Sequence, residues 1–206
     1  MNKINLETWN RKALYEHFVQ FKDPYFGVTV SFDVTKAYRI SKEKKLSFFG
    51  VYLHACMLAI NEVEAFKLRI VDGYPVSFET IHASATIMRS DQTFGFSFID
   101  YNHNLDVFLS NLSAEKHRIE HSKELFPPTN GLDCIHCSAM PWLNFTGHKE
   151  PVSGIKDSVP KLAFSKIEYL NDNRIEMKTA ITVNHALVDG YHVNIFCEKF
   201  QHYLNS

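Results

Sequence analysis

The chain has 206 residues, 45% of them hydrophobic, 14% aromatic and 22% charged, which is enough apolar surface for one compact domain and too much for a disordered tail. Lys plus Arg total 22 against 23 Asp plus Glu, a formal net charge of -1 with no long block of either sign, so nothing points to nucleic acid or another polyanion as a partner. With only 8 Gly and 7 Pro there is no tether between domains, and residues 1–206 read as a single domain. Cys56, Cys134, Cys137 and Cys197 are too scattered for a disulfide framework and fit a reducing cytoplasm. The opening residues lack the apolar core of a signal peptide, and no apolar run approaches the roughly 18 residues of a membrane span, so a soluble protein without membrane contact is expected.

Trp9, Ala13, Leu14, His17 and Phe18 recur at helical spacing, which predicts an N-terminal amphipathic helix closed before Pro24. Over residues 26–34 the pattern becomes strict alternation, the period of a strand with one buried face. Residues 46–64 are apolar-rich and free of Pro, long enough for a buried helix, and Asp72-Gly73 marks a turn. Alternation over residues 80–88 and 94–100, on either side of Arg89-Ser90-Asp91-Gln92, predicts a hairpin. A third helix follows over residues 105–123, stopped before Pro127-Pro128.

Residues 134–145 read as a strand and residues 150–160 as a loop. Apolar segments at residues 162–170 and 175–183, separated by Asn171-Asp172-Asn173, predict another hairpin. Val193, Phe196, Cys197, Phe200 and Leu204 trace the buried stripe of a final helix capped at Asp189 or Gly190. The sum is an α/β chain, a two-layer sandwich in which a mixed sheet is covered by helices.

The densest polar cluster is Asn184-His185-Ala186-Leu187-Val188-Asp189-Gly190, between the last strand and the last helix, where a strand end projects side chains into a cleft. An imidazole titrates near neutrality, so His185 is the natural general base, able to take a proton from a hydroxyl and return it to a leaving group. The same residues also suit a packed histidine beside an N-cap aspartate. Cys134-Ile135-His136-Cys137 is half of many zinc sites but has no second pair nearby, so buried structural cysteines and no metal are expected. Ser138 lacks the Gly-x-Ser-x-Gly setting of a hydrolase nucleophile.

His185-Ala-Leu-Val-Asp189-Gly190-Tyr191-His192-Val193 and Ser138-Ala-Met-Pro141-Trp142-Leu-Asn-Phe145 resemble the two strongest motifs of the trimeric chloramphenicol acetyltransferases. Trp9-Asn10-Arg11-Lys12, residues 66–73, Thr93-Phe94 and Leu125-Phe126-Pro127 are similar to further segments of that family, so the likeness runs nearly end to end. The resemblance implies a CoA-dependent acyltransferase fold and a homotrimer. It also implies acetyl transfer from acetyl-CoA to a hydroxyl of chloramphenicol in a ternary complex, with His185 as base. Asp189 carries over as a carboxylate paired with Arg11 to hold the turn, although Arg11 read alone is a solvated helix residue. Phe18, Phe94 and Phe96 carry over to an apolar acceptor pocket partly formed by a neighbouring subunit, with Phe96 bulkier than usual there. Lys166 carries over to the CoA tunnel, to meet phosphates or solvent.

On the same resemblance, the serine that binds the tetrahedral oxyanion aligns with Gly147, and a threonine of the next strand with Ala163. The missing hydroxyl falls to Thr146, which needs irregular backbone to face the site, or to His148. Two other outcomes follow from these departures: an acyltransferase for another hydroxyl acceptor, or a trimeric ligand-binding homologue without catalysis.

Overall fold

In a computed structural model, which describes residues 1–151 and 157–206, the chain is built on one six-stranded mixed sheet. In chain order the elements are β1 (Asn2–Lys3), α1 (Lys12–Phe18), β2 (Tyr25–Asp33), α2 (Thr35–Glu43), α3 (Phe48–Asn61), β3 (Leu68–Val71), β4 (Tyr74–Ser77) and β5 (His82–Met88). They continue with β6 (Phe94–Phe96), α4 (Leu105–Glu120), β7 (Cys134–Ala139), β8 (Lys161–Tyr169), β9 (Ile175–Asn184) and α5 (Gly190–Leu204). The large sheet runs β2-β9-β8-β7-β5-β6, and β1-β4-β3 form a small antiparallel sheet. Strand β7 is parallel to both β5 and β8, while the other pairs are antiparallel.

Alternation sorts the sheet's side chains onto two faces. Ala83, Ala85 and Ile87 of β5, Ile135 and Cys137 of β7, Leu162 and Phe164 of β8, and Ile181 and Val183 of β9 all enter the hydrophobic core. There they meet Leu53, Met57 and Ile60 of α3, Phe108 and Leu112 of α4, and Phe196 and Phe200 of α5. Helix α3 is apolar on nearly every side because it lies in the middle of that layer, and the Ser47 hydroxyl caps it by accepting from the Gly50 N–H at 3.3 Å. The turn between β3 and β4 has Asp72 at φ 49° and Gly73 at φ 77°, the left-handed pair that a two-residue hairpin demands.

Most predicted elements are present, with two differences. Helix α2 was not anticipated, because its buried positions are the small residues Ala37 and Ser41, which leave no large apolar stripe to read. The strand expected over residues 134–145 ends at Ala139, since Pro141 offers no N–H to a ladder and the chain turns there, Leu143 N–H donating to Met140 O at 3.0 Å. The loop expected over residues 150–160 has its middle, residues 152–156, outside the described residues.

Arg69 joins the two sheets. It is fully buried, and its guanidinium donates to four backbone carbonyls: Leu132 O at 2.7 Å, Phe66 O at 2.8 Å, Leu68 O at 2.6 Å and Cys134 O at 2.5 Å. Burial pulls its pKa down to about 10, which leaves it charged at neutral pH. Arg69→Met keeps the volume but strands these carbonyls, so a loss of at least about 3 kcal/mol is expected, read as a lower urea midpoint.

Candidate active site

The turn after β9 is built by Asn184, which is buried. Its backbone O accepts from Leu187 and Val188 N–H, both at 3.0 Å, and its side-chain Oδ1 accepts from Ala186 N–H at 3.0 Å. Its Nδ2 donates to Asp157 O at 3.1 Å. His185 N–H donates to Pro24 O at 2.8 Å, which ties the exit of β9 to the entry of β2. The His185 ring is then held between two phenylalanines: Phe18 of α1 stacks on it at 4.1 Å with planes 6° apart, and Phe26 of β2 lies at 4.6 Å and 45°. Its Nδ1 is enclosed and has no hydrogen-bond partner among the described residues.

Asp189 ends the turn and serves two structures at once. Its Oδ1 caps α5, accepting from Tyr191 N–H at 3.1 Å and His192 N–H at 3.4 Å, while His192 Nδ1 accepts from the Asp189 N–H at 3.3 Å. Burial holds the His192 imidazole below its usual range, and the neutral ring accepts that bond. Asp189 Oδ2 meets Arg11 Nη1 at 2.5 Å, and the other two guanidinium nitrogens of Arg11 are buried without partners among the described residues. Burial pushes the Asp189 carboxyl up, yet the Arg11 hydrogen bond and the neighbouring His192 and Arg11 charges bring it below its usual value. Arg11 is therefore a buried anchor and not a solvated helix residue.

Two of the clefts among the described residues, a larger and a smaller, lie away from His185, which lines neither. The larger, about 780 Å³, is mostly apolar, with Phe49, Tyr52, Phe94 and Trp142 in its walls and Lys116 and Lys166 as its cations. Lys166 reaches it because β8 bulges between Phe164 and Ile167, where the Ser165 hydroxyl takes the place of a ladder partner and accepts from Lys178 N–H at 2.9 Å. The smaller cleft, about 340 Å³, is lined by Phe96, Phe126, His136 and Lys161 among others. Thr86 and Ser138 line both, and their hydroxyls are 3.2 Å apart. Thus the three expected pocket phenylalanines fall in three places: Phe18 on His185, Phe94 in the larger cleft and Phe96 in the smaller.

Thr146 does have the irregular backbone it needs, a bend, but its side chain is exposed and lines neither cleft, and Gly147 beside it is equally exposed. Cys134 and Cys137 are buried, and desolvation pushes the Cys134 thiol up to about 12. Among the described residues no three His, Cys, Asp or Glu side chains gather as a metal group, and no helix is long and apolar enough to cross a membrane.

The family model described as chloramphenicol acetyltransferase matches residues 1–201. The chain belongs to that family. It has the fold of the CoA-dependent acyltransferases and is an acyltransferase enzyme. The chloramphenicol acetyltransferase of Bacillus pumilus is 27% identical over 195 residues, covering 93% of this chain and 88% of that one. A solved chloramphenicol acetyltransferase structure aligns with a TM-score of 0.86 at 26% identity, over 98% of this chain and 99% of the other. The dihydrolipoamide acetyltransferase of Azotobacter vinelandii shares the fold alone, with a TM-score of 0.68 at 16% identity over 93% of this chain and 86% of its own.

Ser138, weighed from the sequence only as a nucleophile, lines both clefts, two residues after His136 on the same face of β7. The double duty of Asp189 is testable by substitution. Asp189→Asn keeps a capping side chain and loses the charge, whereas Asp189→Ala loses both, so the Ala protein should be less stable than the Asn protein by about 1 kcal/mol in urea melts. Because the native carboxyl sits below the usual aspartate range, the Arg11 pairing contributes fully above that range and is lost as pH falls through the lowered native value, so acid titration of the Asn protein should lack this component.

Proposed function

We propose that the protein is a cytoplasmic acetyl-CoA-dependent O-acetyltransferase that acetylates chloramphenicol and so confers resistance to it. The observation that carries this reading is the clamped imidazole of His185 on a turn fixed by the Arg11–Asp189 pair. With Nδ1 enclosed, Nε2 is the nitrogen left to meet an acceptor hydroxyl. It takes the hydroxyl proton as the oxygen attacks the thioester carbonyl carbon. The tetrahedral oxyanion then collapses, the C–S bond breaks, and the imidazolium returns the proton to the CoA sulfur. Asp189 and Arg11 hold the turn and take no proton.

The larger cleft suits acetyl-CoA, with an apolar length for the pantetheine arm and Lys116 and Lys166 for phosphates. The smaller cleft suits the acceptor, and Ser138 at their junction is placed to donate to the oxyanion in preference to Thr146. Ala163, opposite Ser138 on β8, adds no second hydroxyl there. A single chain keeps His185 out of both clefts, so the working form is read as a homotrimer in which His185 of the partner subunit closes the site.

The test is free-thiol release from acetyl-CoA in the presence of chloramphenicol. His185→Ala should release no thiol above background while sedimenting as the same oligomer; substantial retained turnover overturns the reading. Ser138→Ala should lower turnover about a hundredfold to a thousandfold and Thr146→Ala far less, and the reverse order would return the oxyanion role to Thr146.

A further inference from the structure

The smaller cleft is not the apolar pocket that the family likeness implies. Register explains its floor. Ser84 of β5 pairs with His136 of β7, His136 with Lys161 of β8, and Lys161 with Thr182 of β9, so these side chains form one polar row on the sheet face opposite the hydrophobic core. Lys161 is only 6% exposed, bonded to the Asp157 carboxylate, with its Nζ 5.1 Å from the Tyr25 ring centroid.

The charges in this cleft are internally matched. Lys161 has Asp157. Glu150 is pushed up by burial, towards its neutral form, and has His148 Nε2 at 3.3 Å. His136 keeps an exposed edge in the cleft, while the protein packed around it and the Lys161 charge drive its imidazole down to about 4, so at neutral pH the ring presents one donor and one acceptor. Among the described residues, an ionic ligand would find no unmatched counter-charge.

Hydrogen-bonding capacity is what remains. The side chains of His136, Ser84 and Asn130 line the cleft and have no hydrogen-bond partner among the described residues. The same cleft also has an aromatic wall, where Phe96 and Phe126 stack at 5.3 Å and 25°. One side of an occupant is thus offered hydroxyl partners and the other a flat apolar surface.

We propose that this cleft is a specificity subsite for neutral, hydroxyl-rich acceptors, with His136, Ser84 and Asn130 binding the hydroxyls and Phe96 and Phe126 stacking on an apolar face. The assignment rests on the acetyl-transfer reading for its catalytic consequence, but the binding it describes stands apart from catalysis. His136 acts in it by selecting the acceptor, not by moving a proton.

Two probes with the same aryl end separate the contributions: para-nitrophenyl glucoside, with several hydroxyls, and para-nitrophenethyl alcohol, with one. In thiol-release assays the glucoside should exceed the alcohol in kcat/KM by about tenfold, the worth of one or two hydrogen bonds. His136→Leu should bring the ratio close to one through the KM for the glucoside, and His136→Gln, which keeps a donor and an acceptor, should restore most of it. Equal use of the two probes, preference for the alcohol, or a parallel change for both probes in both variants overturns the proposal. If neither probe nor chloramphenicol releases thiol, the acetyl-transfer reading fails, and calorimetric Kd values of both probes for the same three proteins decide the subsite. A glucoside preference lost in His136→Leu upholds it and no preference overturns it.

Discussion

Lys161 stands opposite His136 on one side and Thr182 on the other, and this register in the middle of the sheet organises the rest of the molecule. It sends Leu162 and Phe164 into the helical layer and therefore leaves Lys161 and Ala163 on the other face. A slip of one residue would bury the ammonium in the hydrophobic core and expose Phe164, at a cost no local interaction offsets. The same register places Ser138 beside Ala163, and the neighbouring β5–β7 pairing brings its hydroxyl to Thr86, so the strand pairings build both the core and the clefts.

The active turn depends on a different kind of constraint. Asn184 shapes it, the Pro24 carbonyl ties it to β2, and Asp189 joins the last helix to Arg11 at the start of the first. Residues 178 positions apart thus fix one imidazole. The ion pair is costly to desolvate, and its contribution is one of geometry more than of net stability. What it holds in place is a ring stacked on Phe18, so α1 helps to position the His185 imidazole.

Polar and apolar faces divide the labour between the clefts. The larger is walled by aromatic and aliphatic side chains with two lysines, a surface suited to a long thin ligand with an anionic end. The smaller combines a matched ion pair, a neutral histidine and an aromatic wall. The two share the Thr86 and Ser138 hydroxyls, and any group passing from a ligand in one to a ligand in the other passes these.

Periodicity, caps and turn residues were enough to place most strands and helices, because those signals are local: the alternation in β2, the Asp72-Gly73 turn, the Asp189 cap and the stripe of α5 each lie within a few residues. The His185 to Asp189 spacing and the Pro141-Trp142 segment carried the family for the same reason. Helix α2 escaped because it buries small residues, and the strand beyond Ala139 was overextended because apolar residues in a turn mimic a strand. Only the tertiary structure decided which side chains meet. Ser84, His136 and Lys161 are dozens of residues apart, and they form one row because the facing of a side chain across a sheet is set by pairing between distant strands, which no spacing along one strand records. Likewise, Arg11 read by its own spacing was a solvated residue, and its pairing with Asp189 came only from the family likeness until the fold brought the two together and covered most of the guanidinium.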